Sequence, residues 1–111
     1  MTILDNCDCT YASSLFLKLE VMPKAVYYQN SAEVEFYKAF FNVVMHWAND
    51  YNHILKIAYQ EASQSGLSAV DAIHVAAAFT VNADELVTTE KSNKPIHRTK
   101  LIKVVSIQPV S

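Results

Sequence analysis

The stretch Gly66-Leu67-Ser68-Ala69-Val70-Asp71-Ala72-Ile73-His74-Val75-Ala76-Ala77-Ala78 constrains this chain more than any other. Its small apolar side chains predict a helix packed on all sides, with a single carboxylate, Asp71, in the first turn. Ser68 stands at the N-cap position, and Ser-x-x-Asp resembles a capping box with Asp in place of the usual Glu. Asp71 therefore either caps the helix or points into a cleft. Further on, an apolar run ends in Leu86-Val87-Thr88-Thr89-Glu90, a second carboxylate at the expected C-terminal end of a strand. Carboxylates gathered at that edge of an α/β sheet are what a divalent-metal site requires.

The 111 residues suit one domain. At 51% hydrophobic and 18% charged, the composition supports a core and excludes disorder as the main state. A single glycine favours long helices over a turn-rich β-architecture. The formal charge of -2 exerts no global pull on nucleic acid, but its distribution is uneven. Lys91, Lys94, Arg98, Lys100 and Lys103 cluster after the last acid, Glu90, while all 11 acids precede Lys91. Such a tract beside an acidic site could hold a phosphate backbone; the alternative is a solvated loop and an edge strand kept soluble by lysines.

Along the chain, Cys9 to Ala12 reads as a short strand, and Ser13 or Ser14 can cap a helix through Leu15 to Met22. Pro23 is expected to kink or end that helix. Asn30 and Glu33 form a capping-box-like start, followed by apolar positions Val34, Tyr37, Phe40, Phe41 and Val44 on one helical face. Val43 to Trp47 allows a helix end or a short strand. Tyr51 to Ser65 predicts an amphipathic helix with Ile54, Leu55, Ala58, Tyr59 and Ala62 on one side, closed by Gly66 as a left-handed cap. Asn82-Ala83-Asp84 breaks the pattern, and Leu86 to Thr89 and Leu101 to Ile107 read as strands. Strands alternating with helices predict an α/β fold with a mostly parallel sheet.

Three acids are site candidates: Glu20, Asp71 and Glu90. Glu20 interrupts Leu19-Glu20-Val21-Met22, where a charge is costly unless paired or metal-bound, or else lies on an exposed stripe. Glu90 alone could be an ordinary post-strand acid. Together, Ser13-Ser14-Leu15-Phe16-Leu17-Lys18-Leu19-Glu20, the Gly66 to Ala76 segment and Leu86 to Glu90 resemble the PIN-domain family in order, spacing and flanking residues.

This resemblance implies a three-layer α/β/α fold with a mostly parallel sheet, and a metal-dependent nuclease that cuts single-stranded RNA with Mg²⁺ or Mn²⁺. It implies Glu20, Asp71 and Glu90 as metal ligands and catalytic acids, the second, third and fourth of the family's pocket, with Thr88 and Thr89 as the small polar residues before the last. Many members are toxins restrained by a partner antitoxin protein, and many are homodimers. Lys91, Lys94, Arg98 and Lys100 would contact the RNA. The carboxylates would hold a hard cation that activates water and neutralises charge on the phosphate.

Two departures accompany the resemblance. Glu90 stands where Asp or Asn is usual, shifting the oxygen by one methylene. The family also opens with a strand ending in an Asp. Thr2-Ile3-Leu4-Asp5 superficially resembles it, yet Asp5 lies only 15 positions before Glu20, too few for a strand, crossover helix, second strand and helix turn. The reading is therefore of an N-terminally truncated PIN-like domain lacking its first strand and first catalytic Asp, through truncation or a late start codon. Unpaired edges would make such a chain dimerise, swap elements or lose stability. The alternative function is a catalytically degenerate module for nucleic-acid binding or homo-oligomeric assembly.

Cys7 and Cys9 lack the second pair that a zinc site needs. Met1 to Thr10 has neither the basic start nor the apolar core of a signal peptide, so a cytoplasmic protein is expected. His74 shares the helix face of Asp71, as a ligand or as a packed histidine. Trp47 with His46, and Tyr27-Tyr28, could stack bases or serve as core and dimer contacts. Phe36, Tyr37, Phe40 and Phe41 are expected in the core or on a dimerisation face.

Overall fold

The computed structural model describes residues 10–88 and 92–106. It is an α/β structure with two small parallel sheets, and divides into a first unit ending at Trp47 and a second beginning at Ala48.

In the first unit, strand β1 (Tyr11–Ser14) feeds directly into helix α1 (Leu15–Tyr27). The Ser14 hydroxyl accepts the N–H of Leu17 at 3.3 Å, satisfying one of the amides a helix start leaves orphaned. Helix α2 (Ser31–Val43) starts the same way, the Asn30 side chain accepting the Glu33 N–H at 3.1 Å. Strand β2 (Val44–Ala48) then pairs with β1, the helices forming the crossover that a parallel pair requires.

Two expectations for this unit need correction. The strand begins at Tyr11 rather than Cys9, which lies outside the described residues together with Cys7. Helix α1 also runs through Pro23 to Tyr27. The proline lies on the solvent side, where water can satisfy the carbonyl one turn back that its missing N–H abandons. Tyr28 closes the helix by donating to the Lys24 carbonyl at 3.1 Å. The choice left open at Val43 to Trp47 resolves as strand.

The second unit is built on helix α3 (Tyr51–Ser65) packed against helix α4 (Ala69–Thr80). Asp50 caps α3, its carboxylate accepting the His53 N–H at 3.3 Å. Gly66 closes it in the left-handed conformation (φ +68°), as the sequence predicts. The apolar face of α3 is rotated from the expected one. Ile54, Ile57, Ala58 and Glu61 face the core, whereas Leu55 and Tyr59 are 49% and 77% exposed. Glu61 is 4% exposed, and the Ser65 hydroxyl donates to its carboxylate at 2.8 Å. A buried carboxylate is tolerable only with such a partner. Nor is α4 packed on all sides. Ala72, Val75, Ala76 and Ala77 are buried against neighbours, while Val70 and Phe79 are exposed.

Strands β3 (Glu85–Thr88) and β4 (Lys103–Ser106) pair in parallel, Glu85 opposite Lys103 and Thr88 opposite Ser106. A 3₁₀ turn, Pro95–Arg98, lies between them and packs on α4. The sequence reading has no counterpart for it. Thr89 and Ile107, expected as strand ends, fall outside the described residues.

The cap at Gly66 yields a prediction. A Cβ there would meet the Arg98 Nη1 at 3.1 Å and would force a non-glycine residue to positive φ. Gly66→Ala is expected to lower stability by about 1 kcal/mol or more, the left-handed cost being on the order of 1–2 kcal/mol. Denaturant unfolding of Gly66→Ala alone and combined with Arg98→Ala separates the two causes. Because φ dominates, most of the loss should persist in the double variant; full recovery would assign it to the arginine contact.

Candidate functional site

Asp71 is the best-defined of the expected acids. It lies in the first turn of α4 and is half-buried. The capping box forms only in part. The Ser68 hydroxyl accepts the Asp71 N–H at 3.2 Å, but no described residue donates a hydrogen bond to the Asp71 carboxylate. Ser68 alone thus performs the local structural task, and both oxygens of Asp71 are left for another partner.

The connectivity places this carboxylate at a particular end of the second unit. Helix α4 turns at 81–84 into β3, which packs back on it. A helix and strand joined by so short a turn run in opposite directions, so the start of α4 and the end of β3 share one end of the unit. Thr88, the last residue of β3, is therefore at the Asp71 end. Glu90, expected two residues further on, lies outside the described residues, as do Thr89, Lys91 and Asp5.

Glu20 belongs to the first unit. It is exposed on α1 beside Leu19, itself 72% exposed, so it occupies an exposed stripe rather than a costly apolar setting. Its charge is nonetheless felt by a neighbour. Burial first, then the carboxylates of Glu33 and Glu20, push the Tyr37 phenol above its ordinary value. Glu20, Glu33 and Tyr37 thus form an acidic corner between α1 and α2. Glu20 belongs to the first unit and Asp71 to the second, and no three His, Cys, Asp or Glu side chains group to hold a metal ion among the described residues.

The Tyr37 environment is testable by titration. Removing the Glu20 charge in Glu20→Gln should move the Tyr37 phenol back toward the ordinary value, about 10. The difference between the absorbance titrations of each protein with and without Tyr37→Phe isolates this phenol among the six tyrosines. An unmoved Tyr37 would remove Glu20 from the corner. Because the folded value is raised, the unfolded phenol ionises first as pH rises. The unfolded state then binds fewer protons, and this contribution to stability is lost as pH climbs through the folded value.

The basic tract is divided in its duties. Lys94, Arg98 and Lys100 are exposed at and around the 3₁₀ turn. Lys103 is paired with Glu85 at 3.3 Å across the β3–β4 register. Both partners are well solvated, so this pair contributes at most about 1 kcal/mol. Arg98 also lies at the C-terminal end of α3, beside Gly66, where a cation complements the helix dipole.

Of the other expected candidates, His74 is half-buried on α4 and His46 is exposed on β2. Tyr27 and Tyr28 pack edge to face at 5.0 Å and are both exposed. The expected cluster of Phe36, Tyr37, Phe40 and Phe41 forms, but none of it is fully buried. Helical spacing alone does not announce that Tyr37, Phe41 and Trp47 align as they do. Among the described residues, no helix is long and apolar enough to cross a membrane. No family model, curated protein or solved structure matches the chain.

Proposed function

We propose that this chain is a PIN-like, Mg²⁺- or Mn²⁺-dependent endoribonuclease acting on single-stranded RNA, of the kind found as toxins held by an antitoxin. The observation that carries the reading is the half-made capping box. A serine caps α4, so the Asp71 carboxylate is not needed for the helix and is available at the strand-end edge of the unit. The order of Glu20, Asp71 and Glu90 along an α/β chain with parallel strands supports the same reading, and a three-layer sheet arrangement belongs to this proposal.

The donor chemistry fits the ion. Carboxylate oxygens are the hard ligands that Mg²⁺ and Mn²⁺ prefer. Among the described residues no donor competes for the Asp71 carboxylate, and Glu20 is exposed on α1. The ion, when bound, supplies an activated water and charge neutralisation at the phosphate. The protein's part is to present the carboxylates and to keep RNA nearby through Lys91, Lys94, Arg98 and Lys100.

A second reading, a degenerate module for nucleic-acid binding or homo-oligomeric assembly, is favoured by the sheets. Among the described residues the strands form two-stranded parallel pairs, whereas parallel strands are ordinarily buried within larger sheets. Titrating Mn²⁺ into the protein while following heat and cleavage of a labelled single-stranded RNA separates the readings. Binding with cleavage supports the nuclease. A folded protein that neither binds Mn²⁺ nor cleaves is the module.

A further inference from the structure

We propose that Tyr37, Phe41 and Trp47 form a stacking platform for the bases of single-stranded RNA, with Lys18 holding a phosphate beside it. This rests on the proposed ribonuclease only for the choice of RNA as ligand, and all four residues belong to the first unit.

Tyr37 and Phe41 stand one helical turn apart on α2, with ring centroids 6.3 Å apart and planes inclined by 28°. Trp47, on β2, continues the series at 5.8 Å and 27° from Phe41. These near-parallel rings form a ladder of successive π faces. The surrounding contacts, Phe36 on Tyr37 and Phe40 on Phe41, are edge to face at 66° and 68° and brace it from the side. The ladder is half-exposed, and no residue of α2 is fully buried. An aromatic helix face of this kind in contact with water indicates a missing partner.

One cation lies beside the rings. Lys18 Nζ lies 5.9 Å from the Phe41 ring centroid, and no described carboxylate pairs with it. A cation beside stacked rings is the combination by which single strands are held without sequence preference, the rings taking bases and the ammonium a phosphate. At the Tyr37 end of the ladder lie Glu20 and Glu33. Glu20 is the acid proposed above for the metal, and both carboxylates repel phosphate at that end, so the strand is held from the Lys18 side.

Trp47 is the only tryptophan and reports on its own site. Oligouridylate is titrated into the full chain in EDTA, where no cleavage occurs, and Trp47 emission is followed. The expected result is saturable quenching that weakens with salt. Lys18→Ala should lower the salt slope by about 0.7, the value for one phosphate contact on a single strand. Phe41→Leu should weaken binding about 5- to 150-fold, as for one lost base stack. Should Phe41→Leu unfold, the surface substitution Lys18→Ala decides alone.

Absence of quenching, or quenching with an unchanged slope in Lys18→Ala, overturns the proposal. So does an emission shift that follows protein concentration and ignores oligouridylate, which would assign the face to a second copy of the chain. Quenching without Mn²⁺-dependent cleavage would leave the platform standing and remove the nuclease; cleavage without quenching would do the reverse.

Discussion

Asp71→Asn is expected to reduce Mn²⁺-dependent RNA cleavage by about 10²-fold or more, the scale of losing one charge-stabilising group in an active site. It should do so almost without unfolding the protein. The Ser68 hydroxyl makes the N-cap bond and is untouched by the substitution. The only structural loss is one negative charge at the helix start, about 0.3–1 kcal/mol. Ser68→Ala supplies the complementary measurement. It removes the cap, at about 0.5–2 kcal/mol, while leaving the carboxylate in place. Thermal unfolding and a cleavage assay on both variants should therefore give opposite profiles: activity lost with Asp71→Asn, stability lost with Ser68→Ala. If Asp71→Asn instead destabilises more than Ser68→Ala and cleavage persists, the carboxylate is structural and the proposed metal site fails.

The largest stability effect is expected at Ile54. Its side chain is fully buried, in a core that also takes in Ile57, Leu67, Val75, Ile96, Ile102 and several alanines. Its neighbours are themselves packed in place, so the site can collapse only in part when the side chain is shortened. Ile54→Ala should cost about 2–5 kcal/mol, through lost transfer free energy and the cavity left behind. Against a total of about 5–15 kcal/mol for a domain, that is a substantial fraction. Leu55→Ala, one position along on the exposed flank, should change stability by only about 0.5 kcal/mol. The pair tests the rotation of the α3 face, because amphipathic spacing alone places both residues inside. Equal losses in denaturant unfolding would restore the unrotated face.

The helix starts were legible because their chemistry is local. Ser14, Asn30 and Ser68 each stand three residues before the amide they accept, and Gly66 takes positive φ without a Cβ to oppose it. Three acids in order on an α/β chain were legible for the same reason, since residue type and spacing are written in the chain. What Asp71 does with its carboxylate was not, because Ser-x-x-Asp fits a full box and a half box equally well.

The sequence by itself determined most of the helices and strands, and where several helices begin, because those choices are made within a few residues; the strand at Val44–Ala48 and the turn at Pro95–Arg98 were left to the structure. Only the tertiary structure decided which side of each element is inside. It buried Glu61 against Ser65 while leaving Leu55 and Tyr59 in water, let α1 continue past a solvent-facing Pro23, and aligned Trp47 with Phe41 and Tyr37. Burial depends on neighbours distant in sequence, and a helix can rotate about its axis by a residue's turn at little cost in local propensity. The choice is therefore made by packing, where each side chain removed from water contributes far more than the propensity differences along the chain.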